Sequence, residues 1–340
     1  MADWPYVSVV VPAFNASDTI DDLLRSLMAL RYPRERHEII VVDNNSTDDT
    51  PRLVQQYPVS LIYERGVQSS YAARNRGVKA ARGELIAFTD ADCVTHPDWL
   101  CRLLADHQDH QWGGFAGGFE AYQPETDVQR FLASIGWFSA SFNQVSSSLG
   151  PQSRGERLLM HFKILDYRSR LSLPDGLLNP PTANVAYRRD VFDQIGGFDE
   201  CLTSGGDMDF AWRVQTQTAW RIKLVTEALV YHQHRRDIAG LAGLYRKNGW
   251  GAGLLALKYG SNPHQTARQM GFESLLLICF SVARHSLDLG VRLSGSLFRR
   301  PVDSLYLKTP IFAVLGSVNF YYGRLTAAIR GNRRLFHRLT

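Results

Sequence analysis

The chain has 340 residues, of which 45% are hydrophobic and 21% charged, with a formal net charge of +5. That balance excludes a disordered or fibrous protein, and the length is enough for a sizeable core in one large domain or two small ones. Cys93, Cys101, Cys201 and Cys279 show no CxxC or other metal spacing, which argues against a disulfide framework and predicts a reduced, cytoplasmic chain. The N-terminal run MADWPYVSVVVPAFN has no basic segment followed by a long apolar stretch, so it reads as a strand and not as a signal peptide.

The opening apolar run, Tyr6 to Asn15, predicts a strand ending near Pro12. Ile20, Leu23, Leu24 and Leu27 then recur at helical spacing, with Ser17 as the candidate N-cap. A second apolar run from Glu38 ends in Asp43 and enters a polar loop, in which Asp48 and Asp49 suit the start of another helix. AARNRGVKAARG (Ala72 to Gly83) precedes a third strand, LIAFTDADC (Leu85 to Cys93). This alternation is the βαβ rhythm of a parallel sheet covered by helices.

The third strand delivers Asp90 and Asp92 with one small residue between them. Ligands of open α/β sheets gather beyond the carboxyl ends of the strands, and carboxylates placed there can hold a hard divalent cation that in turn holds substrate phosphates. The competing reading is a solvated turn that caps the next helix near Thr95 or Asp98.

VPAFN, VVDNNSTDDT, AARNRG, FTDAD, TANVAYRRDVFDQIGGFDE, GGDMDFAWR and VYH occur in that order over roughly residues 6 to 255. The ordered set resembles the inverting glycosyltransferases of family 2, which adopt the nucleotide-sugar-binding GT-A fold. The resemblance implies an α/β, Rossmann-like, mostly parallel mixed sheet flanked by helices, with a helical C-terminal extension. It divides the chain into a catalytic domain over 1–255, in which 120–181 is an acceptor-side insertion, and a basic helical region over 256–340. It implies a nucleotide-diphosphate sugar donor, a UDP-sugar as first choice, and an acceptor hydroxyl on a glycan or lipid-linked molecule of cell-envelope polysaccharide or glycolipid synthesis.

Carried onto this chain, the resemblance assigns Pro12, Ala13, Asn15, Asp43 and Arg74 to the donor nucleotide, with Asp43 on the base. Asp92 becomes the direct ligand of Mn²⁺ or Mg²⁺, and Asp90 a ribose or water-mediated contact as well as a candidate ligand. His232 becomes a further metal or phosphate ligand, with His234 its near competitor. Asp207 matches the catalytic base. The family usually has Glu immediately before that residue; here the position is Gly206, which leaves the base in place but alters the acceptor contacts. Asn184 and Asp209 fall on the acceptor side, although Asp209 also suits a structural pair with Arg213 one turn later. Arg246 and Lys247 are further candidates near the diphosphate. Trp137, Phe138, Phe142 and the serines Ser146 to Ser148 mark a connector or lid.

After Asp303 no acidic residue follows, while Lys308, Arg324, Arg330, Arg333, Arg334 and Arg338 do, interleaved with aromatic residues. The segment is too apolar for a nucleic-acid tail, and no nucleic-acid partner is expected. It suits either packing on the catalytic domain or a helix on an anionic membrane at the cytoplasmic face. The upstream run Leu275 to Ala283 is closed by Arg284 and is short of the ~20 apolar residues that span a bilayer. Two other classes compete. A sugar nucleotidyltransferase would carry a Gly-rich basic loop after the first strand, where PAFNASD stands instead. A non-catalytic nucleotide-sugar-binding protein of the same fold would be expected to have lost Asp90, Asp92 or Asp207, and all three are present.

Overall fold

The computed structural model describes residues 4–135, 176–260, 263–296 and 304–331. Its backbone divides into two compact units. The first holds the described residues through Gln123 together with Gly176–His234, and the second holds Pro124–Ile135 with those from Arg235 onward.

The first unit is built on an eight-stranded mixed sheet: β1 (Val7–Ala13), β2 (His37–Asp43), β3 (Ser60–Tyr63), β4 (Leu85–Thr89), β5 (Cys93–Thr95), β6 (Trp112–Ala121), β7 (Asn184–Arg188) and β8 (Arg221–His232). The spatial order is β3-β2-β1-β4-β7-β6-β8-β5. β1 is parallel to β2 and β4, and β2 to β3. β7 runs antiparallel to β4 and β6, β8 is parallel to β6, and β5 antiparallel to β8. The unbroken apolar runs predicted as strands are buried along their whole length in β1 and β4, as expected where helices cover both faces. Ser8 is the polar exception in β1. It is buried because its hydroxyl donates to Glu38 Oε1 (2.6 Å) and accepts from the N–H of Gly83 (2.8 Å).

The predicted α/β architecture with helical flanks is therefore the one observed. Helices α1 (Ile20–Met28), α2 (Thr50–Val54), α3 (Ser70–Ala80) and α4 (Trp99–Leu103) follow the first strands, and α1 buries the four apolar residues singled out by spacing. Ser17 is not its cap. The N-cap position is Thr19, while the backbone N–H of Ser17 is taken by Asp48 Oδ2 (3.0 Å).

An aromatic cluster of Phe88, Tyr187, Phe192, Phe198 and Phe210 joins the sheet to two later helices, α6 (Arg189–Ile195) and α7 (Gly206–Gln217); α5 (Asp127–Ser134) belongs to the second unit. Phe210 lies 4.9 Å from Phe192 and 4.5 Å from Phe198 between ring centroids. Because Phe210 stands three residues after Asp207, this packing fixes the first turn of α7.

The second unit is helical: α5, α8 (Ile238–Tyr259), α9 (Pro263–Ser296) and α10 (Ser304–Thr326). A division at residue 255 would cut α8. That helix packs along α10 at backbone contact, since a Cβ on Gly249 would lie 1.8 Å from the Phe320 carbonyl oxygen, so the units part at His234/Arg235 instead. Arg284 interrupts the apolar run Leu275 to Ala283 but lies within α9. Among the described residues one helical stretch, Gln265–Leu293, is long and apolar enough to cross a membrane. Trp137, Phe138, Phe142 and Ser146 to Ser148, with most of the expected insertion at 120–181, lie outside the described residues, as do Arg333, Arg334 and Arg338.

Candidate active site

The carboxyl edge of the parallel strands gathers most of the expected residues. β1 and β2 end in register, Ala13 opposite Asp43, and β4 ends at Thr89, one residue before Asp90. The chain leaves β1 toward β2 on one side, while β4 lies on the other, so the crevice beyond β1 and β4 is the topological switch point. Pro12 and Ala13 are buried at the end of β1. Asn15 follows in the left-handed region (φ 46°), and its side-chain oxygen accepts from the Thr47 N–H at 2.8 Å. This ties the loop after β1 to the loop after β2. Burial raises the Asp48 carboxyl, but hydrogen bonds from Thr50 and Ser17 outweigh it and hold it at about 2.

Asp43 is buried. Its Oδ2 accepts from the Ser46 N–H (3.3 Å), and its Oδ1 has no hydrogen-bond partner among the described residues. A buried acceptor left over in this way is costly unless something else satisfies it.

Arg74 projects from α3 and is 3% exposed, so it is not a surface arginine. Its Nη2 pairs with Asp90 Oδ1, and its Nε has no partner among the described residues. The guanidinium carbon lies 5.5 Å from the centre of the Tyr71 ring one turn earlier. Asp92 lies on the far side of the turn. β5 begins at the next residue and pairs Cys93 with His232, which brings His232 Nε2 to 3.4 Å from Asp92 Oδ1. His232 Nδ1 in turn faces His234 Nδ1 at 3.3 Å. Burial and the neighbouring His232 push His234 down to about 4, against the opposing charge of Asp92.

Asp207 stands in the first turn of α7. Its Oδ1 accepts from the Met208 N–H (3.0 Å) and from the Tyr71 hydroxyl (3.3 Å). Burial raises its pKa, partly offset by the Met208 N–H and the charge of Arg74, while Asp90 raises it further. A carboxyl that holds its proton more tightly than usual is a better proton acceptor when ionised.

Two expected acceptor contacts are structural. Asn184 opens β7 opposite Thr89 and is fully buried. Its Oδ1 accepts from Trp99 Nε1 (2.7 Å), and its Nδ2 donates to the carbonyls of Gly118 and Ala228 (both 2.8 Å). The amide thereby staples β7 to β6, β8 and α4 and has nothing left for a substrate. Asp209 is fully buried and takes Arg213 Nε at 3.0 Å, the helical pair its spacing suggested. Arg246 and Lys247 are exposed on α8 in the second unit. His234, the competitor of His232 in the sequence, lies beside it, and Tyr71 joins the site without having been singled out as a functional residue. Only the (i, i+3) spacing of Tyr71 and Arg74 hinted at the latter.

A model of glycosyl transferase family 2 matches residues 8–196, more than half of the chain. The chain belongs to that family. It is a glycosyltransferase, and the sheet and its helices are those of the GT-A fold. Glycosyltransferase AglE of Haloferax volcanii is 26% identical over 236 residues, covering 68% of this chain and 68% of that protein. The pre-mycofactocin glycosyltransferase of Mycobacterium tuberculosis is 27% identical over 265 residues, 77% of this chain but 49% of that protein, so the transferase spans about half of that relative. Among solved structures, the mannosyltransferase PcManGT from Pyrobaculum calidifontis, in complex with GDP-Man and Mn²⁺, superposes with a TM-score of 0.56. The match is 16% identical and covers 93% of this chain and 87% of that one, a likeness of fold.

If Asn184 is a staple and not a substrate contact, Asn184→Ala should destabilise the transferase by about 2–4 kcal/mol in denaturant unfolding, since it orphans two buried carbonyls and an indole N–H. An unchanged unfolding midpoint would refute the structural role.

Proposed function

We propose that the transferase moves a sugar from a nucleoside-diphosphate donor to an acceptor hydroxyl by a single inverting displacement, with Asp207 as general base. The observation that carries this reading is the convergence of three carboxylates. Asp90 and Asp92 sit at the end of β4, and Asp207 lies within electrostatic reach of the Arg74–Asp90 pair. In the reaction the acceptor oxygen bonds to the anomeric carbon as the bond to the diphosphate breaks. The acceptor proton passes to Asp207, and the bond's electrons leave with the diphosphate. Asp43 suits a base that presents a ring N–H, as uracil and guanine do, because its unsatisfied oxygen can only accept. Asn15 and the ends of β1 and β2 would flank the ribose.

The residues present fit a divalent cation. The ligand atoms of Asp92, Cys93 and His232 lie within 4.8 Å of one another. Burial pushes the Cys93 thiol well up, so the neutral sulfur is a poor ligand and the remaining set is oxygen and imidazole, suited to Mn²⁺ or Mg²⁺. Asp92 and His232 would hold the ion with Asp90 beside them. When bound, it would neutralise charge that grows on the departing diphosphate.

The acceptor we infer is a glycan or lipid-linked hydroxyl compound of the cell envelope, met at an anionic membrane. Phe272, Leu275, Leu287 and Val291 are each more than half exposed on α9. From residue 256 onward the sequence carries twelve Lys and Arg against three Asp and Glu. An exposed apolar stripe beside excess positive charge suits binding in the headgroup plane of anionic lipid.

Three outcomes are expected. Asp207→Asn should lower transfer by at least about 10²-fold while donor still raises the melting temperature, and wild-type activity should fall as pH drops through a pKa above the usual ~3.9 for Asp. Normal turnover by the variant would sink the base assignment. Asp92→Ala should abolish the rise in melting temperature that Mn²⁺ adds to nucleoside diphosphate, and an undiminished rise would remove Asp92 from the metal site. The protein should co-sediment with phosphatidylglycerol vesicles and come off in high salt. Failure to bind them would refute the membrane proposal, and salt-resistant binding would replace a peripheral helix with an inserted one.

A further inference from the structure

The position before Asp207 is glycine, and the space a side chain would use there is occupied. A Cβ built on Gly206 would lie 2.8–2.9 Å from three carbons of the Tyr71 ring, closer than real Cβ contacts allow. Tyr71 is 5% exposed and therefore cannot swing away into solvent. Phe198 stacks on its ring at 5.8 Å, and Arg74 lies against it from the next turn of α3. Its hydroxyl donates to Asp207 Oδ1 and lies in reach of the backbone N–H groups of Asp207 and Gly206 at the start of α7.

We propose that Tyr71 is the positioning residue of the base Asp207, and that Gly206 is glycine because the Tyr71 ring must pass there. The inference rests on the reading of Asp207 as base. An acidic residue at 206 would set a second negative charge beside the base. Tyr71 instead presents a neutral O–H from a different helix, which holds one carboxylate oxygen and stabilises its ionised form. With Oδ1 engaged by Tyr71 and Met208, Oδ2, which makes no hydrogen bond among the described residues, is turned to the acceptor. The titratable and charged groups facing Asp207 are Tyr71 and Arg74 on α3, Asp90 after β4 and Tyr187 on β7. Of these, Tyr71 alone makes a side-chain hydrogen bond to it among the described residues.

The test is Tyr71→Phe, which keeps the ring and deletes only the hydroxyl. UDP-glucose, UDP-N-acetylglucosamine and GDP-mannose serve as donor probes with Mn²⁺, and water stands in for the acceptor, so that release of nucleoside diphosphate reports the displacement. The variant should lose about tenfold in kcat near neutral pH with donor KM unchanged. The acidic limb of its pH profile should move up by about half to one unit. A role confined to packing predicts a uniform loss, or none, with the limb unmoved, and that result overturns the proposal. Asp207→Asn is measured alongside. If it releases nucleotide normally, or if the parent releases none from any probe, the base reading itself fails. If Asp207→Asn is inactive and the Tyr71→Phe limb stays in place, only the role of Tyr71 fails.

Discussion

A guanidinium removed from water must be met by negative charge, and that requirement organises the catalytic side of this molecule. Arg74 is almost wholly buried on α3, and its partner is Asp90 at the end of β4. The pair couples a helix to the strand whose tip carries Asp92, and the positive charge of Arg74 lowers the pKa of Asp207 against the effect of burial. Removing either partner would leave an uncompensated charge in a low-dielectric setting, which costs far more than a surface ion pair contributes.

Around that pair, apolar and amide packing does the positioning. The aromatic cluster anchors α7 through Phe210, so the carboxylate one turn earlier is held in place by ring packing. Asn184 performs the corresponding task for the antiparallel half of the sheet, joining three strands and a helix through one side chain. The β5–β8 pairing is short, yet with the Gln233 N–H bonded to the Asp92 carbonyl it brings the Asp92 and His232 side chains, 140 positions apart, to 3.4 Å. Rigid elements thus carry the groups gathered at the site.

The helical unit follows a different logic. Its glycines let α8 and α10 approach at backbone contact, and its long α9 leaves large apolar side chains in solvent. A net positive sequence with an uncovered apolar stripe is stable in water only at some cost, and an anionic lipid surface would relieve it.

The strands β1, β2 and β4, the helix α1 and the acids at the strand ends were legible in the sequence, because unbroken apolar runs and 3.6-residue spacing report burial directly. So was the Asp209–Arg213 pair, since one helical turn separates the two. The fates of Asn184, Tyr71 and Gly206 were not. Asn184 stands among site motifs, and only the carbonyls of Gly118 and Ala228, supplied by other strands, reveal that its amide is spent. Tyr71 meets Asp207 across 136 positions, and no local periodicity encodes a contact of that range. The division at His234 was hidden for the same reason, as α8 is apolar enough to belong to either unit until its partner helix is known. The sequence by itself determined which segments are buried and which acids end strands, because both follow from short-range pattern. Tertiary structure alone decided which polar groups are satisfied by protein and which remain for a ligand, because hydrogen bonds are allotted between segments that only the fold brings together.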